Sequence, residues 1–397
     1  MVNHMSTYLY DVLERLIAFD TVSSHSDVPA MEHLAGHMER HRFKAMLHRT
    51  EIAGVPQANL VAWAGPPRPD GLIISGHLDT VPVEGQPGWE RDPLRMEVAG
   101  DRIYGRGTAD MKGFLAQCVD AAGQLDRARL LRPLVFLFTS NEEVGYLGAA
   151  RVAPLLQDLL ADVPRPNLAW IGEPSSYQVF HAHKSIVYFE VTVHGRGGHS
   201  GNPAQGVNAI AVMGKVLDVI GRLQAERRTA RSAEFAAIFP DSPYDVMNFG
   251  TITGGIATNV IAEQCTLQAS YRSLPNADPL ELWREVKRRV DQIDTHDYGS
   301  PNHRATITLN DPKIAPQMLT PRGTPLERAL FEVTGATTAG GALYGTDGGA
   351  FAHSGIKSLI CGPGDFEQAH QPNEFIRRDA FERGAAIILE VVEKMCC

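Results

Sequence analysis

Four short apolar runs, each followed directly by a polar cluster, most limit how this chain can fold. The runs lie at residues 72–74, 134–138, 168–171 and 359–361. Continuous apolar strands separated by helical segments are typical of a largely parallel sheet that is buried on both faces. Functional groups in such sheets collect at the carboxyl ends of the strands. The sequence therefore predicts an α/β fold with the four polar clusters at or near one edge of its sheet.

A second pattern begins near Lys184. It comprises an alternating strand at 187–193, a helix near 207–224, strands near 246–252 and 264–271, a helix at 278–293 and a strand at 305–309. This β-α-β-β-α-β order is that of a ferredoxin-like α+β sandwich. Because the run at 359–361 returns to the first pattern, the smaller domain is inserted into the larger one. We expect a large domain at 1–183 and 313–397 and an inserted domain at 184–312.

Composition excludes several classes of function. The 397 residues include 37 Lys and Arg against 46 Asp and Glu, and the net charge of −9 disfavours nucleic acid or an anionic membrane as main partner. Five cysteines are too few, and odd in number, for a disulfide framework. The first six residues lack the features of a signal peptide, and no apolar run approaches the roughly 20 residues that span a bilayer. We therefore expect a globular protein of the reducing cytoplasm.

The polar clusters contain side chains suited to binding metal ions. They are His77, Asp110, the adjacent Glu142 and Glu143, Glu173 and His370. Taken singly, each has an ordinary explanation, since Asp110 could begin a helix and a Glu-Glu pair is usually a solvated loop. Together, two imidazoles and three carboxylates suit two cations such as zinc if one carboxylate bridges them. One of the adjacent glutamates would then ligate while the other serves as general base.

Asp79 lies two residues after His77, so both side chains project to the same side of an extended segment. A carboxylate in this place would accept the second ring N–H of the imidazole and fix its orientation. The simpler alternative is a turn aspartate before Thr80-Val-Pro82.

Three segments resemble the signature motifs of the dinuclear zinc metallopeptidase family. They are Ser75-Gly-His-Leu-Asp-Thr-Val-Pro82, Tyr104-Gly-Arg-Gly-Thr-Ala-Asp-Met-Lys-Gly113 and Thr139-Ser-Asn-Glu-Glu-Val-Gly145. This family includes acetylornithine deacetylases, succinyl-diaminopimelate desuccinylases, aminoacylases and glutamate carboxypeptidases. The resemblance runs in order over nearly the whole chain and meets the family pattern at every ligand position. It implies a zinc-peptidase-like catalytic domain with an inserted lid that also forms dimers.

The resemblance also implies a role for each member of the metal set. The two ligand sets would be His77, Asp110 and Glu173 for one zinc ion and Asp110, Glu143 and His370 for the other, with Asp110 shared. Glu142 would be the general base and then the acid that protonates the leaving amine. Asp79 would orient His77. Each subunit would thus bind two Zn2+ ions, and the same ligands also accept Co2+.

Four further residues are implied to contact the substrate. His199, in the Gly-rich segment 195–203, would donate a hydrogen bond to the oxyanion of the tetrahedral intermediate, often from the partner subunit of a homodimer. Asn259 and Arg272 would bind substrate from the lid, and the guanidinium of Arg272 suits a carboxylate. From the residues alone, an ion pair with a surface acid is the alternative explanation for Arg272. Gly345 lies in a turn whose backbone N–H groups could cradle the substrate.

The segment 362–374 resembles acetylornithine deacetylases more than it resembles the desuccinylases or glutamate carboxypeptidases. The implied substrate is the small molecule N2-acetyl-L-ornithine, in arginine biosynthesis. Alternatives within the family are a desuccinylase, an aminoacylase, an acetylcitrulline deacetylase or a dipeptidase. A zinc-dependent binding protein without turnover would have no use for a free base beside a ligand. A two-metal phosphatase or nuclease would need a basic phosphate cradle, which the sequence lacks.

Overall fold

The computed structural model describes residues 5–297 and 300–397. The beginning of the chain, where a signal peptide is expected to be absent, lies partly outside these residues. Within the described ranges, no helix is both long and apolar enough to cross a membrane. The chain forms two compact units, one that runs up to Ala182 and resumes at Met318, and one that spans His183–Gln317. The borders expected from the sequence lay after residues 183 and 312.

The secondary structure follows in chain order. The helices are α1 (Met5–Ala18), α2 (Val28–Arg40), α3 (Lys112–Gln124), α4 (Leu147–Val152), α5 (Leu156–Leu159), α6 (Ala209–Thr229), α7 (Pro279–Val290), α8 (Pro325–Thr334), α9 (Gly348–His353) and α10 (Arg378–Cys396). The strands up to His183 are β1 (Lys44–Ile52), β2 (Val55–Ala64), β3 (Leu72–His77), β4 (Glu97–Ala99), β5 (Arg102–Tyr104), β6 (Leu134–Thr139), β7 (Leu168–Ile171) and β8 (Val179–His183). The following strands are β9 (Ile186–His194), β10 (Gly198–His199), β11 (Val246–Gly254), β12 (Val260–Ile261), β13 (Gln264–Arg272), β14 (His296–Asp297), β15 (Ser300–Arg304), β16 (Thr306–Leu309) and β17 (Lys313–Ala315). The last strands are β18 (Met318–Leu319), β19 (Ala339–Ala342), β20 (Lys357–Ile360) and β21 (Phe375–Arg377).

The first unit is built on a mixed sheet whose centre is parallel. Strand β3 pairs in parallel with β6 on one side and β7 on the other, and β20 pairs in parallel with β7. Antiparallel strands flank this centre, with β2 on β6 and β8 on β20. Every residue of β3 and β6 is buried, as expected of apolar strands covered on both faces. The predicted α/β fold with a largely parallel central sheet is confirmed.

Helix α3, which follows the loop of Asp110, is packed within the apolar core. Its residues 112–122 are all buried, and it packs against both α1 and α10. The ring of Phe114 in this helix meets Trp170 of β7 edge-on, with centroids 5.6 Å apart. Full burial of an aromatic side chain such as Phe114 contributes roughly 2–3 kcal/mol to folding. The loop that precedes α3 and carries Asp110 is therefore anchored by the core.

The second unit contains an antiparallel sheet with strand order β11-β13-β9-β16. Each neighbouring pair is antiparallel, and β17 continues beside β9 after β16. Buried residues of α6 and α7, such as Val212 and Leu282, form one core with Val191 and Leu267 of the strands. The chain order β9-α6-β11-β13-α7-β16 confirms the predicted ferredoxin-like sandwich.

Several elements are absent from the sequence predictions. Strands β1 and β2 form an antiparallel hairpin at the edge of the main sheet, and β4, β5 and β21 form a small separate sheet. Residues of β1 are exposed or half-buried throughout, so this strand lacks the apolar run that reveals a buried strand. In the small sheet, Phe375 pairs with Tyr104, which brings the segment after His370 beside the segment before Asp110.

Candidate metal centre

The metal set gathers at the carboxyl edge of the parallel strands. His77 is the last residue of β3, and Glu173 lies two residues beyond the end of β7. Glu142 and Glu143 follow the end of β6 after a short turn. Because β6, β3 and β7 are parallel neighbours, their carboxyl ends lie side by side. The topology of the sheet thus brings residues from distant parts of the sequence to one place.

Asp110 lies between two imidazole rings. Its Oδ1 is 2.9 Å from Nε2 of His77, and its Oδ2 is 3.3 Å from Nε2 of His370. Asp110 reaches this position from the loop before α3, and the Asp110–Met111 peptide bond is cis. A carboxylate that presents one oxygen to each of two imidazoles has the placement required of a ligand shared by two cations.

Glu143 and Glu173 each approach one of these imidazoles. Oε2 of Glu143 is 3.0 Å from Nε2 of His370, and Oε1 of Glu173 is 3.7 Å from Nε2 of His77. Oε1 of Glu173 is buried and has no hydrogen-bond partner in the described part of the chain. A buried carboxylate oxygen without a donor is unfavourable, and a cation would satisfy it. The donor set of imidazoles and carboxylates therefore fits divalent metal ions such as Zn2+.

The ligand atoms converge in two overlapping groups. They are His77 with Glu142 and Glu173, and His77 with Asp110 and Glu143, each with its ligand atoms within 4.8 Å of one another. These groups share His77, whereas the family resemblance has Asp110 as the shared ligand. The sequence predicts that Glu142 does not bind metal and serves as the base. In the structure, one of its carboxylate oxygens lies within 4.8 Å of ligand atoms of His77 and Glu173. The role of Glu142 as a general base stays a prediction.

Asp79 holds the turn that carries the two glutamates. Its Oδ1 accepts a hydrogen bond from the backbone N–H of Glu142 at 2.9 Å, and its Oδ2 accepts from the N–H of Glu143 at 3.2 Å. The hydroxyl of Ser23 also donates to Oδ2, at 2.6 Å. Nδ1 of His77 lies 3.0 Å from the backbone carbonyl oxygen of Asp79 and 3.6 Å from its carboxylate. Asp79 is thus next to the ring of His77 through both its carbonyl and its carboxylate, and its role in orienting the imidazole stays a prediction.

The carboxylates concentrate negative charge in a buried place. Burial, followed by the carboxylate of Glu173, raises the pKa of Glu142 well above its ordinary value, and burial likewise raises the pKa of Glu173. Burial lowers the pKa of His77, but Glu173 and the aspartates outweigh it and raise the pKa well above its ordinary value. In the absence of cations, these raised pKa values favour the binding of protons by Glu142, Glu173 and His77. Divalent cations would displace these protons and offset the same charge.

His370 forms the solvent-facing side of the centre. Its side chain is 49 % exposed, and its backbone has a left-handed φ of 62°. This φ is uncommon for a residue other than glycine, so the surrounding segment must hold the backbone there. Hydrogen bonds with Asp110 and Glu143 raise the pKa of His370 to about 10. Burial alone would raise the pKa of Asp110, but the rings of His370 and His77 together lower it below its ordinary value.

Two buried acids beside the metal set are absent from the sequence predictions. Asp347 is 1 % exposed, and burial raises its pKa to about 7. The hydroxyl of Thr139 donates to its Oδ2, while its Oδ1 has no partner among the described residues. Glu374 accepts hydrogen bonds from the backbone N–H groups of Ala109 and Asp110. Two features of the sequence could have pointed to them. Asp347 is an acid within the turn 345–349, and Glu374 is an acid four residues after His370.

The residues predicted to bind substrate fall in both units. Gly345 belongs to the first unit and lies shortly before α9. His199, Asn259 and Arg272 belong to the second unit. There β10 pairs with β12, and the backbone N–H of Ser200 donates to the carbonyl of Asn259 at 3.1 Å. The side chains of His199 and Asn259 are exposed and Arg272 is half-buried, so their roles toward substrate stay predictions.

The chain is similar to known enzymes over most of its length. The profile of peptidase family M20/M25/M40 matches residues 73–394, a range that contains the whole metal set. An acetylornithine deacetylase from Yersinia pseudotuberculosis serotype O:1b is 36 % identical over 360 residues, which cover 88 % of this chain and 87 % of the relative. An M20 family metallo-carboxypeptidase from Sulfolobus solfataricus has a TM-score of 0.75 at 18 % identity over 98 % of both chains. A dinuclear metal-binding M20 peptidase from Bacillus subtilis has a TM-score of 0.65 at 15 % identity, again over 98 % of both.

These similarities confirm the family resemblance that the three sequence motifs indicated. The fold of both units agrees with the solved structures, and the sequence relatives identify the chain as a metal-dependent hydrolase that acts on amide bonds. The extent of the profile match and the identity to the Yersinia relative lead to one conclusion. The chain belongs to peptidase family M20/M25/M40.

Proposed function

We propose that this chain hydrolyses N2-acetyl-L-ornithine to L-ornithine and acetate, a step of arginine biosynthesis. The main structural support for hydrolytic chemistry is the position of Asp110, whose carboxylate presents one oxygen to His77 and the other to His370. The choice of substrate is supported by the 36 % identity to a relative named acetylornithine deacetylase. The five free cysteines support a reducing cytoplasm as its compartment.

Two Zn2+ ions per subunit are the proposed cofactors, with Co2+ as an alternative occupant of the same ligands. The proposed ligand sets are His77, Asp110 and Glu173 for one ion and Asp110, Glu143 and His370 for the other. When bound, such ions supply Lewis-acid chemistry that polarises an acyl carbonyl and acidifies water. Glu173, whose Oε1 is buried without a partner among the described residues, gives the strongest support for a cation on the His77 side.

Glu142 is the proposed proton carrier. Its carboxylate takes a proton from the attacking water and later delivers it to the nitrogen atom of the leaving amine. A C–O bond forms at the acetyl carbon and the C–N bond breaks, so acetate and ornithine account for every atom of substrate and water. Burial raises the pKa of Glu142, which makes its carboxylate a stronger base than that of an exposed glutamate.

Substrate recognition is assigned to the second unit and to one turn of the first. Arg272 would bind the α-carboxylate through its planar guanidinium, with Asn259 beside it. Gly345 would offer backbone N–H groups, and His199 would donate to the oxyanion. We propose that the second unit also forms a homodimer. In support, β11 is an edge strand whose last seven residues are exposed, and unpaired strand edges readily pair with another chain.

A substrate panel tests the proposed reaction. The zinc-loaded chain is assayed with N2-acetyl-L-ornithine, N-succinyl-diaminopimelate, N-acetyl-L-citrulline, N-acetyl-L-methionine and a dipeptide. We expect kcat/KM for acetylornithine to exceed every other value at least about tenfold, or about 1.4 kcal/mol. A higher value for another compound would assign the chain to that substrate. Bound zinc without hydrolysis of any compound would favour a binding protein.

Glu142→Gln tests the mechanism separately from the substrate. The carboxamide cannot take a proton, so kcat should fall by about 10²- to 10⁴-fold while both metal ions stay bound. Glu332→Gln is the matched control, because Glu332 is exposed on α8 and pairs only with Lys394 among the described residues. Near-normal turnover by Glu142→Gln with two bound ions would rule out Glu142 as the base.

A further inference from the structure

The carboxylate of Glu374 is surrounded by donors from the loop that carries Asp110. Its Oε1 accepts hydrogen bonds from the backbone N–H groups of Ala109 at 2.9 Å and Asp110 at 3.1 Å. Its Oε2 accepts from the N–H of Gly107 at 3.0 Å and from Nη1 of Arg106 at 2.9 Å. Glu374 is only 1 % exposed, so these four groups have almost no competition from bulk water.

The chemistry of this arrangement requires an ionised carboxylate. All four partners are donors, and a carboxylate accepts on both of its oxygens. A carboxamide of the same shape would turn its NH2 group toward two of the donors and leave them unsatisfied. Arg106 is also 1 % exposed and supplies the opposite charge, which strengthens the hydrogen bonds around Glu374.

Arg106 extends these contacts to the loop that carries His370. Its Nη2 donates to Oε1 of Gln86, and Nε2 of Gln86 donates to the backbone carbonyl of His370 at 2.5 Å. The backbone carbonyl of Glu374 accepts from the N–H of Gly105 at 3.1 Å. The loops of Asp110 and His370 are thus connected through one buried ion pair.

We propose that Glu374 is a positioning residue that holds Asp110 and His370 at the spacing two metal ions require. It acts through the backbone of Asp110 and through Arg106, and it contacts neither imidazole ring of the centre. Groups that orient metal ligands typically change metal affinity or activity by roughly 10- to 100-fold. This inference rests on the proposed function, because it takes Asp110 and His370 as metal ligands.

Glu374→Gln is the test variant and Glu327→Gln is its matched control. Glu327 is 3 % exposed in the same unit, and it also accepts from an arginine, Arg322, and from a backbone N–H, that of Gly323. These partners all lie at the start of α8, in a different segment of the chain from the loops of Asp110 and His370. The measurements are the affinity for two Co2+ ions by competition with a chromophoric chelator, the Co2+ absorption spectrum and the Tm of the metal-free protein.

We expect Glu374→Gln to bind its weaker Co2+ ion at least about tenfold less tightly than the wild type, with an altered absorption spectrum. Glu327→Gln should bind both ions as the wild type does, even with a similar fall in Tm. If Glu374→Gln does not fold, Gln86→Ala replaces it as the test variant, because Gln86 lies half-buried in a loop. It should lower the affinity for the same Co2+ ion several-fold. Wild-type affinity in the folded test variant, or an equal loss in Glu327→Gln, would overturn the inference. A wild-type chain that binds no Co2+ would instead overturn the proposed function.

Discussion

The backbone N–H of Glu142 donates a hydrogen bond to the carboxylate of Asp79 at 2.9 Å, although 63 positions separate the two residues. Asp79 follows β3 and Glu142 follows β6, and these strands are parallel neighbours. The same carboxylate accepts from the N–H of Glu143. One side chain at the end of a strand therefore sets the position of both the proposed base and a proposed ligand.

Asp79→Asn should reduce turnover without emptying the metal centre. The carboxamide can present its oxygen to only one side, so the N–H of Glu142 or that of Glu143 loses its acceptor. We expect kcat on acetylornithine to fall by roughly 10- to 100-fold while metal content stays at two ions. Steady-state kinetics together with metal analysis provide the measurement. Ser23→Ala, which removes only a third donor to Asp79, should retain most activity.

Metal removal should destabilise the first unit. The cations would offset buried acids such as Glu173, and any ligand that binds only the folded state raises its stability by mass action. At free zinc about 1,000-fold above Kd, the gain is about 4 kcal/mol per site. We therefore expect EDTA to lower the Tm by several degrees, and Zn2+ or Co2+ to restore it. Mg2+ should restore less, because it prefers oxygen ligands to imidazole. An unchanged Tm after complete removal of metal would contradict this expectation.

The parts of the site that lie at strand ends could be predicted from the sequence. His77 and Glu173 follow apolar runs, and such runs identify buried strands whose neighbours are restricted by the topology of a parallel sheet. The ferredoxin-like order of the second unit could also be predicted, because apolar residues recur with helical spacing in its helices and alternate with polar residues in its strands. These features depend on local patterns, which a single sequence contains.

The supporting contacts could not be predicted, because they depend on tertiary structure. Glu374 meets Asp110 across 264 positions, and nothing near Glu374 in the sequence indicates which donors surround it. Asp347 lies in a turn that suggested only backbone contacts, whereas its side chain is buried against Thr139. The donors around the carboxylate of Asp79 could not be predicted either, because they come from Ser23 and from the turn of Glu142 and Glu143.

A chain of hydrogen bonds between α1 and α2 makes the first unit sensitive to acid. The hydroxyl of Tyr8 lies 2.6 Å from Nδ1 of His37 and 2.7 Å from Nε2 of His41. Nε2 of His37 is in turn 3.1 Å from Nε2 of His33. Burial, together with the smaller effects of Arg40 and the neighbouring imidazoles, lowers the pKa of His37 to about 4.

His37 should therefore reduce stability as the pH falls from about 6.5 to about 4. Below pH 6.5 the unfolded chain binds a proton at His37 that the folded chain does not, so the free energy of unfolding decreases. After allowance for solvent screening, the loss between pH 7 and pH 5 is roughly 1 kcal/mol. Urea unfolding at both pH values should show a smaller pH dependence in His37→Gln than in the wild type. His353→Gln, at an exposed position of α9, should leave the pH dependence unchanged.

Mixing two inactive variants should restore activity if His199 serves the site of the partner subunit. In a heterodimer of Glu142→Gln and His199→Ala, the chain with His199→Ala keeps Glu142 and would receive an intact His199 from its partner. The exposed position of His199 on β10 of the second unit leaves the imidazole available for such a role. Random exchange of subunits makes half of the dimers mixed with one complete site each, so we expect about a quarter of wild-type activity. The controls are each variant incubated alone. Activity of the mixture equal to the mean of the two separate variants would show that His199 does not act across the dimer.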